Sequence, residues 1–255
     1  MKQELIDLKN FIDRAVHDAE RLTSNIAVER LIKMRGFNSE RVRHLLNNLC
    51  KLQDTVYLDI GSYRGVSVSS ALWGNKATGY AVDTFAYDYL AAKPNSTDHI
   101  AGTLRALKEF IQVFRCADQV TVICEDICKL DIKQFDMPIN VCYYDAGIQE
   151  GQSYKAFNNI IPALSRYAIV VSSTLQNPEV NEGIEKAFAK NNITVAYNKT
   201  IRSRSLTDIK TWWNGVNIWL IEKTIEDSAR DNKGKHDRKL AIEEANRRTK
   251  EMENA

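Results

Sequence analysis

The order of apolar runs after Thr55 restricts this chain more than any other feature. Short runs at residues 56–60, 79–82, 120–124, 140–144, 168–171 and 193–197 alternate with amphipathic stretches at 67–73, 99–114, 153–164 and 180–190. Runs of this length are too short for membrane spans or long core helices, and helical stretches between most of them imply βαβ units. A mostly parallel sheet buried on both faces follows. A seventh run, 215–222, follows the sixth with no helical pattern between them. That predicts a hairpin and an antiparallel last strand.

Ahead of this alternation, Leu5, Leu8, Ile12, Ala15, Ala19 and Leu22 fall on one helical face. A second short helix is predicted at 27–34, ending at Gly36 as a left-handed C-cap. A third carries Val42, Leu45, Leu46 and Leu49, capped by Asn38 or Ser39. Beyond Lys223 the residues are dominated by Asp, Glu, Lys and Arg, which cannot bury much surface. The chain thus divides into a helical cap at 1–52, an α/β domain at 53–224 and a charged tail at 225–255, which reads as a solvated tail or a frayed helix.

Composition narrows the function classes. Of 255 residues, 35 are Lys or Arg and 33 Asp or Glu, a net charge of +2 that offers no global field for a polyanion. The start of the chain lacks the basic and then apolar order of a secretory signal, and no run approaches a membrane span. Five cysteines, odd in number and without a C-x-x-C pair, suit a reduced, cytoplasmic setting. Cys124 and Cys128 read as buried thiols, since no Cys/His partners complete a zinc set.

The stretch Tyr57-Leu58-Asp59-Ile60-Gly61-Ser62-Tyr63-Arg64-Gly65 joins a strand to a helix through a glycine-bounded turn. In a doubly wound sheet this turn sits where ligands bind, at the strand C-terminal ends. A plain βα turn also uses glycine, so the weight comes from Asp83, which ends the second strand roughly 18 residues later, near the spacing of a ribose-binding carboxylate. Position 63 is Tyr where a dinucleotide fingerprint needs its second Gly, so an adenosyl ligand is favoured over a dinucleotide.

These residues resemble the class I S-adenosylmethionine-dependent methyltransferases, whose fold is a Rossmann-like seven-stranded α/β sheet with the last strand antiparallel. Asp59 to Gly65 is similar to the branch whose first motif reads acidic-x-Gly-Ser-x-x-Gly, which includes bacteriophage-encoded members. Further likeness lies in Ala81-Val82-Asp83-Thr84-Phe85, Cys124-Glu125-Asp126-Ile127, Tyr143-Tyr144-Asp145-Ala146-Gly147 and Trp212-Trp213-Asn214-Gly215. The resemblance implies that Asp59 orders the loop near the methionine amino group and that Gly61, Ser62 and Gly65 line the methionine part. Tyr63 of the same loop counts among the cofactor-binding positions. It further implies that Asp83 holds the ribose, Asp126 and Ile127 lie along the adenine, and Asp145 faces the transferred methyl.

Two departures bear on chemistry. Relatives usually continue the fourth strand as Asp-Gly-x-His and end the fifth in paired Asp; here Asp145 precedes Ala146-Gly147-Ile148-Gln149, and Ser172-Ser173 replaces the pair. A hard cation needs several oxygen ligands, so no metal is assigned. Asp145 then reads either as a base or substrate anchor or as a carboxylate capping its own loop. Glu150 reads as solvent-facing.

The segment 200–214, between the sixth and seventh strands, borders the same end of the sheet. Its Arg202, Arg204, Trp212 and Trp213 form a candidate substrate patch for a base or another flat anionic group, with at least one indole packed under the loop instead. Tyr87, Tyr89 and His99 are candidates for the opposite wall. The leading expectation is a methyltransferase acting on an unidentified acceptor, a small molecule or a nucleic-acid base, in the cytoplasm, or the host cytoplasm if phage-encoded. The alternative is a non-catalytic module of the same fold that binds a nucleotide or protein partner. The oligomeric state is not legible.

Overall fold

A computed structural model describes residues 2–26, 36, 38–86, 97–147, 149–173, 177–203 and 211–224, with 97–102 as backbone only. Seven strands form one sheet: β1 (Val56–Ile60), β2 (Thr78–Val82), β3 (Val120–Ile123), β4 (Ile139–Tyr144), β5 (Leu164–Ser172), β6 (Thr194–Ile201) and β7 (Val216–Glu222). Their order is β3-β2-β1-β4-β5-β7-β6, and β7 runs antiparallel to both its neighbours while the rest are mutually parallel. This is the seven-stranded Rossmann-like arrangement expected.

Six helices are described: α1 (Gln3–Glu20), α2 (Glu40–Leu49), α3 (Val66–Leu72), α4 (Thr97–Val113), α5 (Gln152–Ile160) and α6 (Pro178–Lys190). Two hydrophobic clusters flank the sheet. One joins α1, α2, α3 and α4 to Tyr57, Ala81, Tyr143, Ile169 and Ile218. The other joins α5 and α6 to Leu58, Ile60, Tyr80, Tyr144 and Trp219. Strand alternation alone decides which residue faces which layer. The N-terminal helices therefore share a core with the sheet, and polar side chains tie them to it. Asn47 of α2 donates to the carbonyls of Ser70 and Trp73, 2.8 Å each, filling acceptors that the short α3 leaves open at its end. Asp13 of α1 accepts from Tyr197 and Lys199 of β6 at 2.6 and 2.7 Å.

Several expectations shift. Burial on both faces holds for β1, almost throughout β4 and nearly all of β7, whereas β3 and β6 lie at the sheet edges and are half-exposed. Strand β6 runs on to Ile201 because pairing with β7 recruits the polar stretch Asn198-Lys199-Thr200. Strand β3 stops at Ile123, so Cys124 is exposed and Cys128 only half-buried, contrary to the buried-thiol reading. Of the two cap candidates, Ser39 is the N-cap of α2, its side chain accepting from Val42 N. The helix predicted at 27–34 and the tail at 225–255 lie outside the described residues, whereas Gly36, the expected cap, is described. Gly36 packs against Val66, where a Cβ would meet Val66 Cγ2 at 2.6 Å.

Candidate functional site

Strands β1 and β4 are neighbours although α3, β2, α4 and β3 separate them in sequence, so the chain's path reverses between them and opens a crevice at their C-terminal ends. The backbone closes the floor of that crevice. Asp145 N donates to Ile60 O at 2.9 Å, and Gly61 N donates to Val82 O at 2.9 Å. Gly61 has φ +88°, and a Cβ on it would lie 2.4 Å from Asp145 O. Only glycine lets the loop after β1 pass this close to the end of β4. Gly65, at φ +81°, serves as N-cap of α3 and packs on Leu107. The resulting cleft has a volume of about 710 Å³.

Register places the carboxylates. Asp59 pairs with Tyr143 across β1 and β4, and alternation turns Tyr57, Asp59, Tyr143 and Asp145 toward the N-terminal helices. Asp59 is fully buried beneath the loop. It accepts from Ser67 Oγ at 2.6 Å and Tyr57 Oη at 3.2 Å, while Ser62 Oγ donates to its main-chain oxygen at 3.0 Å. Burial pushes its carboxyl up to about 7, with Asp145 adding to the rise and the hydroxyls opposing it. Asp59 thus fastens strand, loop and helix together and does not line the cleft.

Asp83 does line it. Its two oxygens accept from Tyr63 N and Phe85 N, both at 2.8 Å, which holds the β1 and β2 loops in fixed relation. A carboxylate has about four lone-pair sites, so about two remain for a ligand. Burial raises the Asp83 carboxyl against the pull of these N–H groups. Ser62, Tyr63, Asp126 and Ile127 share the same wall. Asp126 accepts from Cys128 N at 2.9 Å in a local turn that fixes its side chain.

Asp145 lines the other end of the cleft, together with Asn38, Asn177, Trp213 and Asn214. Tyr143 Oη donates to Asp145 Oδ2 at 3.1 Å. Burial raises this carboxyl to about 6, opposed by the hydroxyls of Ser173 and Tyr143. Ser172 and Ser173 are buried at the end of β5. Among the described residues no group of three His, Cys, Asp or Glu is arranged to hold a metal ion.

The predicted substrate patch divides. Trp213 faces the cleft, while Trp212 is 4% exposed and packs in the cluster with Val216 and Ile218, so one of the two indoles belongs to the core. Arg202 is exposed beyond β6 and does not line the cleft. Arg204, Tyr87, Tyr89 and the His99 side chain lie outside the described residues. Sequence reasoning missed Asn38, Thr84, Asn177 and Asn214 as lining residues. Asn38 carried one usable signal, a second polar residue beside an N-cap that Ser39 alone satisfies.

No family model and no curated protein matches the chain. Solved structures do. The O-methyltransferase TomG from Streptomyces achromogenes, in complex with SAM, is 14% identical with a TM-score of 0.51, the match covering 82% of this chain and 90% of that one. TrmN from Thermus thermophilus is 12% identical with a TM-score of 0.52, over 76% of this chain and 52% of that one. The cofactor-bound Rv0187 from MTB is 12% identical with a TM-score of 0.50, over 84% and 91%. The chain therefore has the fold of class I methyltransferases.

Proposed function

We propose that the cleft binds S-adenosylmethionine and that the protein transfers its methyl group to an acceptor at the Asp145 end. The observation that carries this is the cleft at the C-terminal ends of β1, β2 and β4, where Gly61 and Ser62 line the same space as Asp145 and as Asp83, a carboxylate with acceptor capacity to spare. The donor set fits the ligand. The Asp83 oxygens suit a pair of ribose hydroxyls, Ile127 and the Asp126 turn suit an adenine, and Gly61 and Ser62 admit the amino-acid part at close range. When bound, S-adenosylmethionine supplies an electrophilic methyl group.

The chain's own residues then orient and accept protons. Alignment of the acceptor beside the cofactor is the main requirement, and Trp213, Asn38 and Asn214 supply a flat face and amides for it. Asp145 takes the proton that an acceptor N–H or O–H loses as its new bond to carbon forms. A carboxyl held near 6 is mostly ionised at neutral pH and more basic than an ordinary aspartate. Incubation with methyl-labelled cofactor and nucleic-acid, protein and small-molecule extracts tests the proposal. Label should enter one acceptor class; no label in any, despite cofactor binding, leaves the binding-module reading instead.

A further inference from the structure

A hydrogen-bonded chain leads from the N-terminal helical cap to the candidate base. Asn38, which is 8% exposed and immediately precedes the N-cap of α2, sets its Nδ2 3.2 Å from Tyr143 Oη. Tyr143, fully buried, sets Oη 3.1 Å from Asp145 Oδ2. Asn38 is itself held, since its carbonyl accepts from Arg43 Nη2 at 3.1 Å. A phenol has one proton to give. With the Asn38 amide donating to its oxygen, that proton is committed to Asp145.

We propose, resting on the methyltransferase reading, that Asn38 and Tyr143 are positioning residues: the Asn38 amide orients the Tyr143 hydroxyl, which holds one oxygen of Asp145 and leaves the remaining lone pairs of the carboxylate to the acceptor. The cap thereby completes the site and does more than cover the sheet. The groups that face this chain are Asp59 and Tyr57 from β1, Ser173 beyond β5, and Arg43 from α2, which has Glu40 beside it in turn. The Ser173 hydroxyl favours an ionised Asp145 carboxylate and Asp59 opposes it, while the Arg43 charge acts on Tyr143. Burial outweighs them in both Asp145 and Tyr143, whose phenol sits well above its usual range and stays protonated as the donor.

The test needs no acceptor. In protein labelled with 13C at aspartate carboxyls, the Asp145 signal is identified by its loss in Asp145→Asn, and its titration is followed by NMR without ligand. Tyr143→Phe removes a hydrogen bond to the charged form, so the Asp145 midpoint should rise by about one unit. Asn38→Ala should raise it by less, and should add nothing in the Tyr143→Phe background, because the amide acts only through the phenol. An unmoved midpoint in Tyr143→Phe overturns the proposal, as does an Asn38→Ala shift of equal size in both backgrounds. Should Tyr143→Phe not fold, Asn38→Ala decides alone: no shift refutes the chain. Calorimetry of the unsubstituted protein with S-adenosylhomocysteine separates the two readings, since absent binding rejects the methyltransferase proposal while the titrations still judge the hydrogen-bonded chain.

Discussion

Replacing Gly61 by alanine probes the crossing of the β1 loop and β4 directly. Two costs coincide there. At φ +88° an L-residue is strained, by about 1–3 kcal/mol. The new methyl carbon would also lie 2.4 Å from Asp145 O, 2.7 Å from Asp145 C and 2.9 Å from Ala146 N, all main-chain atoms that cannot rotate away. Pushing the loop off β4 to relieve this costs about another 1–3 kcal/mol, the range for overpacked sites. Gly151 supplies the control: its φ is +71° and nothing stands within 4 Å of an added Cβ, so Gly151→Ala carries the backbone strain alone. Urea unfolding of both variants, followed by circular dichroism, should place Gly61→Ala below Gly151→Ala by about 1–3 kcal/mol. Calorimetry should show S-adenosylhomocysteine affinity reduced at least about tenfold in the first and unchanged in the second. Equal urea midpoints would refute the close-approach argument.

Other consequences reach the rest of the molecule. Asp83→Ala should weaken S-adenosylhomocysteine binding by about tenfold or more in calorimetry, whereas unchanged affinity would place the ribose elsewhere. Trp212→Ala should lower stability by about 3–5 kcal/mol because it empties a core site, while Trp213→Ala should stay within about 1 kcal/mol; comparable urea midpoints would contradict the division of the two indoles. Asp59 and Asp145, raised to about 7 and about 6, bind protons in the folded state that the unfolded chain has released, so they draw stability down as pH rises from about 4 to 7. Asp59→Asn should flatten that decline in urea midpoints taken at pH 5 and pH 8, and an equal slope would show that Asp59 is not so perturbed. Asp13, held below the usual carboxylate range despite partial burial by Lys199, Tyr197 and Lys9, acts with the opposite sign: its contribution is present above about pH 4 and lost in acid. Asp13→Ala should cost about 1 kcal/mol at pH 7 and clearly less near pH 2, and a cost independent of pH would contradict the ionic link between α1 and β6.

The fold was legible because its central strands are continuous apolar runs, and burial on both faces leaves no ambiguity about which residues must avoid water. Edges were harder to read. Strand β6 carries Asn198, Lys199 and Thr200, residues that pattern alone assigns to a loop and that only pairing with β7 makes into strand. Local motifs also located one wall of the cleft, since Gly61, Ser62 and Asp83 belong to two successive βα turns that the topology makes adjacent. The Asp145 end of the cleft was not legible in the same way. Asn38, Asn177 and Trp213 come from three distant segments, and their meeting depends on how the cap and the β7 approach settle on the sheet. The two tryptophans show the limit sharply: neighbours in sequence with the same chemistry, they part because Trp212 packs in the core with Val216 and Ile218 while Trp213 lines the cleft.

Calorimetric titration of the purified chain with S-adenosylmethionine and S-adenosylhomocysteine tests the central claim most directly. The account predicts saturable binding of both at a single site, with dissociation constants on the order of micromolar and a marked loss in Asp83→Ala. No heat with either ligand at about millimolar concentration, in protein shown by circular dichroism to be folded, would contradict it.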